Sequence, residues 1–549
     1  PQEYSEITAP SPLEYLTPSC ALPLLSHTFA NTVDSPPTIA NYSAPHDCTW
    51  SRALLHLSAA SNGTQYDRIA AVWLSGVELL RTSTPEPTPD GIFWNVRKDV
   101  TRYSALLRRS NLTLAVMLEN VVNDVYTGVY RVNLTFLYYD GIRSTGELPF
   151  FNLLPPPRDR PSEKEKNPLD LDENPADLII PISAAGDEGG GFWFRLESQF
   201  DAIYQGIRFP SNTYRAVVEI YVSFHGNDEF WYSNPPDSYI ETNHLATKRG
   251  HGAYREVSVK IDDDVIGTVI PFPVIFTGGI NPLFWEPLVS IGAFDLPSYE
   301  IDLTPFLGIL LDGDEHFIGL SITDAISFWL VDANLHLWLD RTADSVQAGA
   351  VRYRHPSSCV TRVSAFEFLD GSFELHSRRD SEFSGWVNSS AGNFTTYVST
   401  RLKFDNTIRF TNNGTDKAVN QNTKLTVKRR LLDSSTGESI SDVRIEKKYP
   451  IKITTANFPG SADQTYLSTT KLDHSIKDER RDRNSVNRLS NTQKSIGWMF
   501  ISDHDLLSGG ASTVHKYEKK NDFGCYSRHI WAAGGAVKND TETFYCPTS

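Results

Sequence analysis

Tyr130-Arg-Val-Asn-Leu-Thr-Phe-Leu-Tyr138 places apolar side chains at 130, 132, 134, 136 and 138, with Arg131, Asn133 and Thr135 between them. A strict two-residue period is that of a strand with one face on a core and one in water. The same alternation sets Leu112, Leu114, Val116 and Leu118 against Asn111. Tyr214–Phe224, Tyr254–Ile261 and Leu335–Leu339 also read as strands. Phe366-Glu-Phe-Leu-Asp370-Gly371-Ser-Phe-Glu-Leu375 reads as a hairpin turning at Asp370-Gly371, since that dipeptide tolerates positive φ. Long helical periodicity is scarce, so the expected class is all-β, built from layered sandwiches or jelly rolls.

At 549 residues the chain is too long for one core and points to about three or four units. We divide it into a first sandwich at 1–152, a linker or exposed loop at 153–180 marked by Pro155, Pro156 and Pro157 and the charged run that follows, a second sandwich at 181–345, and a β-rich region at 346–549. Lys471–Lys494, with Lys477-Asp-Glu-Arg-Arg-Asp-Arg483 inside it, reads as a solvated loop, with a processing or docking site as the lesser alternative.

The net charge of −16 excludes a nucleic-acid binder that works by neutralising phosphates. No apolar run reaches the length of a membrane span, the longest stretches near Phe306–Leu311 and Ser327–Leu339 being short or interrupted by Asp332 and His336. A start at Pro1 is what a mature product shows after loss of a signal peptide, although a trimmed chain would look the same. Asn-x-Ser/Thr occurs at Asn41, Asn62, Asn111, Asn133, Asn388, Asn393, Asn413 and Asn539, against a chance expectation of about two to three. These are candidate glycosylation sites, and at Asn133 and Asn111 strand parity puts the asparagine on the solvent face. Of five cysteines, Cys20–Cys48 and Cys525–Cys546 are the local disulfide candidates, with Cys359 left over. Together these features place the chain in the secretory pathway, secreted or vacuolar.

The catalytic signatures HExxH, GxSxG, the P-loop and the dinucleotide fingerprint are absent. His225, His244 and His251 match no metal spacing, and a copper site wanting methionine has only Met117 and Met499 to draw on, so no metal and no cofactor are expected. What remains is carboxylates beside aromatics. Asp67 and Arg68 stand at the mouth of the apolar strand that begins at Ile69, either as a structural ion pair or as a site at the rim of the core. Asp228 and Glu229 precede Phe230, Trp231 and Tyr232 in a loop, a mixture that suits sugar binding as well as ordinary packing.

Gln65-Tyr-Asp-Arg-Ile-Ala-Ala-Val-Trp-Leu74, Asp228-Glu-Phe-Trp-Tyr-Ser-Asn-Pro-Pro236 and Ile291-Gly-Ala-Phe-Asp-Leu-Pro-Ser-Tyr-Glu-Ile-Asp-Leu-Thr-Pro305 resemble the plant and fungal acidic peptide:N-glycosidase A family over most of the chain. The resemblance implies an amidase that cleaves the asparagine–glycan bond of N-glycosylated peptides and denatured glycoproteins, core α1,3-fucosylated ones included, with neither nucleic acid nor membrane as partner. It leaves open whether the chain is nicked into two associated pieces. A more distant likeness to bacterial peptide:N-glycosidase F, two adjacent jelly rolls, supplies roles. Tyr66-Asp67-Arg68, Leu80-Arg81-Thr82 and Leu114–Glu119 follow in similar order and spacing, so Asp67 resembles the essential aspartate, Arg68 its neighbour and Glu119 the first-domain glutamate. The second-domain glutamate of that protein has no matching motif here. Glu229 is the nearest substitute, with Glu256 as runner-up. Trp231, Trp94 and Trp285 are candidates to stack on sugar rings, and Asp228, His225 and Arg255 candidates to bind hydroxyls. A non-catalytic lectin on the same sandwiches is the competing reading. A cysteine-dependent amidase is a third, disfavoured by the lack of a local Cys/His signature.

Overall fold

The computed structural model describes residues 1–140, 168–186, 190–462, 464–483, 485–503, 505–522 and 524–544. Most of the chain is antiparallel β-structure in five sheets. Two sheets face each other in the first sandwich. One runs in the order Gln2–Tyr4, Ile92–Asp99, Arg52–Asn62, Val129–Tyr139, Cys20–Phe29, and the other Thr38–Tyr42, Leu112–Leu118, Ile69–Leu74, Val77–Ser83. Strands distant in sequence lie side by side, which is jelly-roll connectivity. Tyr130, Val132, Leu134, Phe136 and Tyr138 are all buried in this core while Asn133 faces water, as the alternation requires. Cys20 and Cys48 form a disulfide at its edge.

The second sandwich pairs Leu178–Ile182, Trp329–Leu339, Thr213–Phe224 and Tyr299–Asp302 in one sheet, with Ala202–Ile207, His316–Thr323, Glu256–Ile261 and Asp264–Val269 in the other. The two sandwiches are joined by a buried polar network. The Arg81 guanidinium, fully buried, donates to both Glu78 oxygens, to Ser223 Oγ (3.1 Å) and to the Leu330 carbonyl (2.6 Å). Trp73 Nε1 donates to Asp332 at 2.9 Å, and Arg102 and Tyr103 donate to Glu219 at 2.8 and 2.9 Å. Burial pushes the Glu219 carboxyl up, but Arg102 and His336 outweigh it and hold it well below the usual carboxylate range.

Residues 347–543 form a ten-stranded antiparallel meander whose strands pair in sequence order, most of them 17 to 21 residues long. Its inner face wraps the second sandwich. Phe373, Leu375, Leu402, Phe404, Tyr449 and Ile451 share one core with Val257, Trp231 and Phe272. Its last strands cover Ile7 and Leu288 with Tyr517, Tyr526 and Ile530.

Three sequence readings are corrected here. The segment 471–494 is not a loop but lies in the strands Thr465–Asp482 and Ser485–Ser502. The hairpin turns two residues early, at Phe368-Leu369, because Asp370 and Gly371 are already paired with Glu367 and Phe366, and the Asp370 carboxylate accepts the Gly414 N–H. The proposed linker ends inside Leu178–Ile182, and its proline-rich portion lies outside the described residues. Cys546 also lies outside them, and Cys359 is exposed and free. Among the described residues no helix is long and apolar enough to cross a membrane.

Candidate active site

Gln65–Arg68 leads into the strand Ile69–Leu74 and is fixed from several sides. Gln65, itself buried, donates from Nε2 to the Val121 carbonyl and accepts from Arg68 Nη2 (2.5 Å). Arg68 N–H donates to Thr84 Oγ1, and Thr84 N–H returns to the Arg68 carbonyl, tying this segment to Pro85-Glu86-Pro87. The second sandwich then closes over both, since Thr277 Oγ1 donates to the Thr84 carbonyl (2.8 Å) and Gly278 N–H donates to Asp67 Oδ1 (3.2 Å). A Cβ at 278 would stand 2.6 Å from Asp67 Oδ1 and 2.6 Å from Glu86 Oε1, so only glycine allows two carboxylates to approach this backbone. Trp285 Nε1 holds the same loop by donating to the Gly279 carbonyl.

Glu229 comes from the other side, on the loop after Thr213–Phe224. Its neighbour Asp228 anchors that loop. The Asp228 carboxylate accepts two bonds from Arg255 (2.7 and 2.8 Å), one from Trp329 Nε1 and one from the Ile326 N–H. Phe230 then packs toward Gly279. Asp67, Glu86, Glu229 and Glu286 thus gather where the sandwiches meet, near enough for Glu86 to feel the other three and for Glu229 to feel Asp67.

These carboxyls resist ionisation. Burial pushes Asp67 up to about 6, against the opposing pull of the Gly278 N–H and Arg68. Burial and then the nearby Asp67 push Glu229 up to about 7, with Arg249 opposing. Burial, Asp67, Glu286 and Glu229 together push Glu86 up to about 8, and burial raises Glu286. Like charges sharing a half-buried site cannot all ionise, so near neutral pH it holds both a carboxylate and a carboxylic acid. That pairing allows general acid and general base work in one place. Among the described residues Arg68 Nε is buried without a hydrogen-bond partner.

Of the residues singled out from sequence, the structure brings Asp67, Arg68 and Glu229 together. Glu119 follows Leu112–Leu118, half-buried. Burial and Asp34 raise its pKa while Arg195 and Arg68 oppose, so Arg68 is the group it shares with Asp67. Glu256 is fully buried and bonded to Tyr254 and Arg379, which makes it an internal ion pair beneath the ten-stranded sheet. The expectation of stacking tryptophans is corrected. Trp94, Trp231 and Trp285 are 2%, 0% and 1% exposed and offer no ring face to solvent. Trp94 lies against Phe294, and Trp231 against Phe224, Tyr232 and Phe404. Asp228 and Arg255 spend their bonding capacity on each other and on the loop. His225 is held between the rings of Phe276 and Phe328, and burial pushes its pKa down to about 3.

Sequence reasoning missed Glu86, Glu286 and Gly278, and also Tyr66, whose ring is 58% exposed beside Tyr126 at 5.3 Å. The one local signal was a lone glutamate between prolines in Pro85-Glu86-Pro87. Among the described residues no group of three or more His, Cys, Asp or Glu is arranged to hold a metal ion.

Residues 8–356 match the family described as peptide N-acetyl-β-D-glucosaminyl asparaginase amidase A, and residues 372–451 match its C-terminal domain. The chain belongs to this family. A peptide-N4-(N-acetyl-β-glucosaminyl)asparagine amidase A from Prunus dulcis is 38% identical over 544 residues, covering 98% of this chain and 92% of that protein. Among solved structures, the glycosylasparaginase PNGase F from Flavobacterium meningosepticum is 13% identical, with a TM-score of 0.34, over 58% of this chain and 96% of its own. PNGF-II gives 13% identity and a TM-score of 0.37 over 58% and 66%. Within the amidase A family match of 8–356 fall both sandwiches, apart from the strand Gln2–Tyr4, and Asp67, Glu86, Glu229 and Glu286.

Proposed function

We propose that this protein hydrolyses the amide joining asparagine to the innermost N-acetylglucosamine of N-linked glycans, using Asp67 and Glu229 where its sandwiches meet. Family membership supports the reaction class. The observation that carries the residue assignment is the convergence of Asp67, anchored by the Gly278 N–H, with Glu229 at pKa values of about 6 and about 7. Water attacks the side-chain carbonyl as ionised Asp67 takes its proton, and the glycosyl nitrogen leaves with a proton from neutral Glu229. The products are an aspartate in the peptide and a glycosylamine, which then loses ammonia. Arg68 Nε serves the substrate oxygen on which charge develops, and Glu119 orders the second sugar. Exposed Tyr66, with half-buried Tyr126 beside it, rather than the buried tryptophans, supplies the aromatic face for a sugar ring.

The proposed substrates are N-glycosylated peptides and denatured glycoproteins, including those with α1,3-fucose on the innermost sugar. A secreted or vacuolar location accords with the disulfide and with seven of the eight sequon asparagines being exposed, Asn393 being half-buried. The test is glycan release from a defined glycopeptide by Asp67→Asn and Glu229→Gln, each expected to lose at least about 100-fold in kcat. Wild-type protein should leave the former asparagine heavier by about one dalton, as amide-to-acid conversion requires. Wild-type turnover in both variants would refute the assignment, and binding without release would turn the reading to a lectin.

A further inference from the structure

Pro85-Glu86-Pro87 carries a carboxyl that the proposed acid and base steps do not use. Both prolines are buried and fix their own φ, and Pro87 restricts Glu86 before it to extended backbone. Thr84, just upstream, is tied to Arg68 on one side and to Thr277 on the other. Glu86 is thus held, half-buried, on a stiff segment beside Asp67. Asp67 Oδ1 and Glu86 Oε1 each lie 2.6 Å from the point where a Cβ of residue 278 would stand, so the two oxygens are at most about 5.2 Å apart. No hydrogen bond joins the two carboxyls directly.

Outside this cluster, carboxylates drawn into the protein have donors, as Asp228 has Arg255, Glu219 has Arg102, and half-buried Glu6 has the N–H groups of Gly292 and Phe294. Among the described residues Glu86 has neither a hydrogen bond nor an ion pair. Burial and the charges of Asp67, Glu286 and Glu229 act on it, and all oppose its ionisation. A glutamine would fill the same space without this conflict. An acid kept where it brings no structural return marks a functional position. Glu286 is not its equivalent, because an oxygen of Glu286 lies 3.3 Å from where a Cβ of residue 535 would stand, and burial alone raises its pKa.

We propose that Glu86 is a further catalytic carboxyl, which holds the attacking water jointly with Asp67. The proposal rests on the amide-hydrolysis reading and deepens it. One water spans a gap of this size with two hydrogen bonds of about 2.7–2.8 Å each. With its hydrogens directed at two fixed acceptors, the water turns a lone pair toward the asparagine side-chain carbonyl, so its orientation is set before the reaction begins. One water O–H bond breaks as Asp67 takes that proton and the oxygen bonds to the amide carbon. The second hydrogen stays on the oxygen. Glu86 accepts from it and neither gains nor loses a proton, a role open to the carboxyl in either protonation state.

The test measures glycan release from a defined glycopeptide by Glu86→Leu, Glu86→Gln, Asp67→Asn and the Asp67→Asn/Glu86→Leu double variant, with kcat and KM separated. Leucine offers no acceptor and should lower kcat at least about tenfold with KM within about twofold, whereas glutamine keeps an accepting oxygen and should lose about two- to fivefold. Because both groups hold one water, adding Glu86→Leu to Asp67→Asn should cost less than about threefold more. Melting of the leucine variant at or above wild type at about pH 7 confirms its fold, since an acid set among acids has gone. If it does not fold, Glu86→Ala takes its place with the same expectations. More than a third of wild-type kcat in the leucine variant, a glutamine variant no better than the leucine one, or losses that multiply in the double variant overturns the proposal. Wild-type turnover by Asp67→Asn would instead refute the hydrolytic assignment beneath it, whereas a silent Asp67→Asn beside an active Glu86→Leu defeats the role of Glu86 alone.

Discussion

Gly278→Ala tests the site at its tightest point. The added methyl would lie 2.6 Å from both Asp67 Oδ1 and Glu86 Oε1, and ordinary contact begins near 3.4 Å, so each carboxylate must withdraw by about 0.8 Å or the loop must retreat as far. Either movement breaks the Gly278–Asp67 bond. A displacement approaching 1 Å at a reacting group costs about 100-fold in rate, or about 2.7 kcal/mol of barrier. The strain of overpacking itself is about 1–3 kcal/mol, which shifts melting of a chain this size by a few degrees at most. The expected variant is therefore folded at the assay temperature and impaired mainly in kcat, measured as glycan release from a glycopeptide under saturating substrate. Retention of more than a third of wild-type kcat, with Tm unchanged, would show that Asp67 does not need its place beside Gly278.

Glu86→Gln should change stability in a pH-dependent way. The folded pKa of Glu86, about 8, lies above its unfolded value, so the fold binds the extra proton and loses stability as pH rises from about 4.5 through about 8. The variant should match wild type near pH 4.5 and exceed it by about 1–3 kcal/mol at pH 8, read from melting curves at the two pH values. Arg81→Ala leaves Glu78 and Asp332 buried without their cation and should cost about 3–5 kcal/mol, visible as a fall in the urea midpoint. Tyr66→Ala should raise KM severalfold with little change in Tm, whereas Trp231→Ala, emptying a core position, should destabilise by about 3–5 kcal/mol. A Trp231→Ala protein with wild-type melting and a raised KM would reverse that distinction.

The two sandwiches were legible in the sequence because their strands alternate cleanly, as Tyr130–Tyr138 does. The ten-stranded sheet was less so, and most of all at 471–494, because its inward face there is polar. His474, Ser475, Asn491, Gln493 and Ser495 are buried where a hydropathy pattern expects apolar residues. Asp67 could be found because it stands at the start of a recognisable strand, and Glu229 because of its aromatic company. That company misled as well. A tryptophan in a loop signals packing as readily as ligand contact, and Trp231 anchors the loop from below. Glu86, Glu286 and Gly278 sit in connections with no periodicity, and only the docking of one sandwich on the other brings them beside Asp67.

The bond from Gly278 to Asp67 joins positions 211 residues apart. A ribosome that has finished the first sandwich has made Asp67 but not the backbone that orients it, and Glu229 and Gly278 arrive later still. The ten-stranded sheet that buttresses their sandwich emerges last of all. Reactivity is thus withheld through synthesis and acquired at the end, as a property of the finished chain. Recovery of turnover after denaturation should accordingly lag behind recovery of the first sandwich and report the moment at which the halves engage.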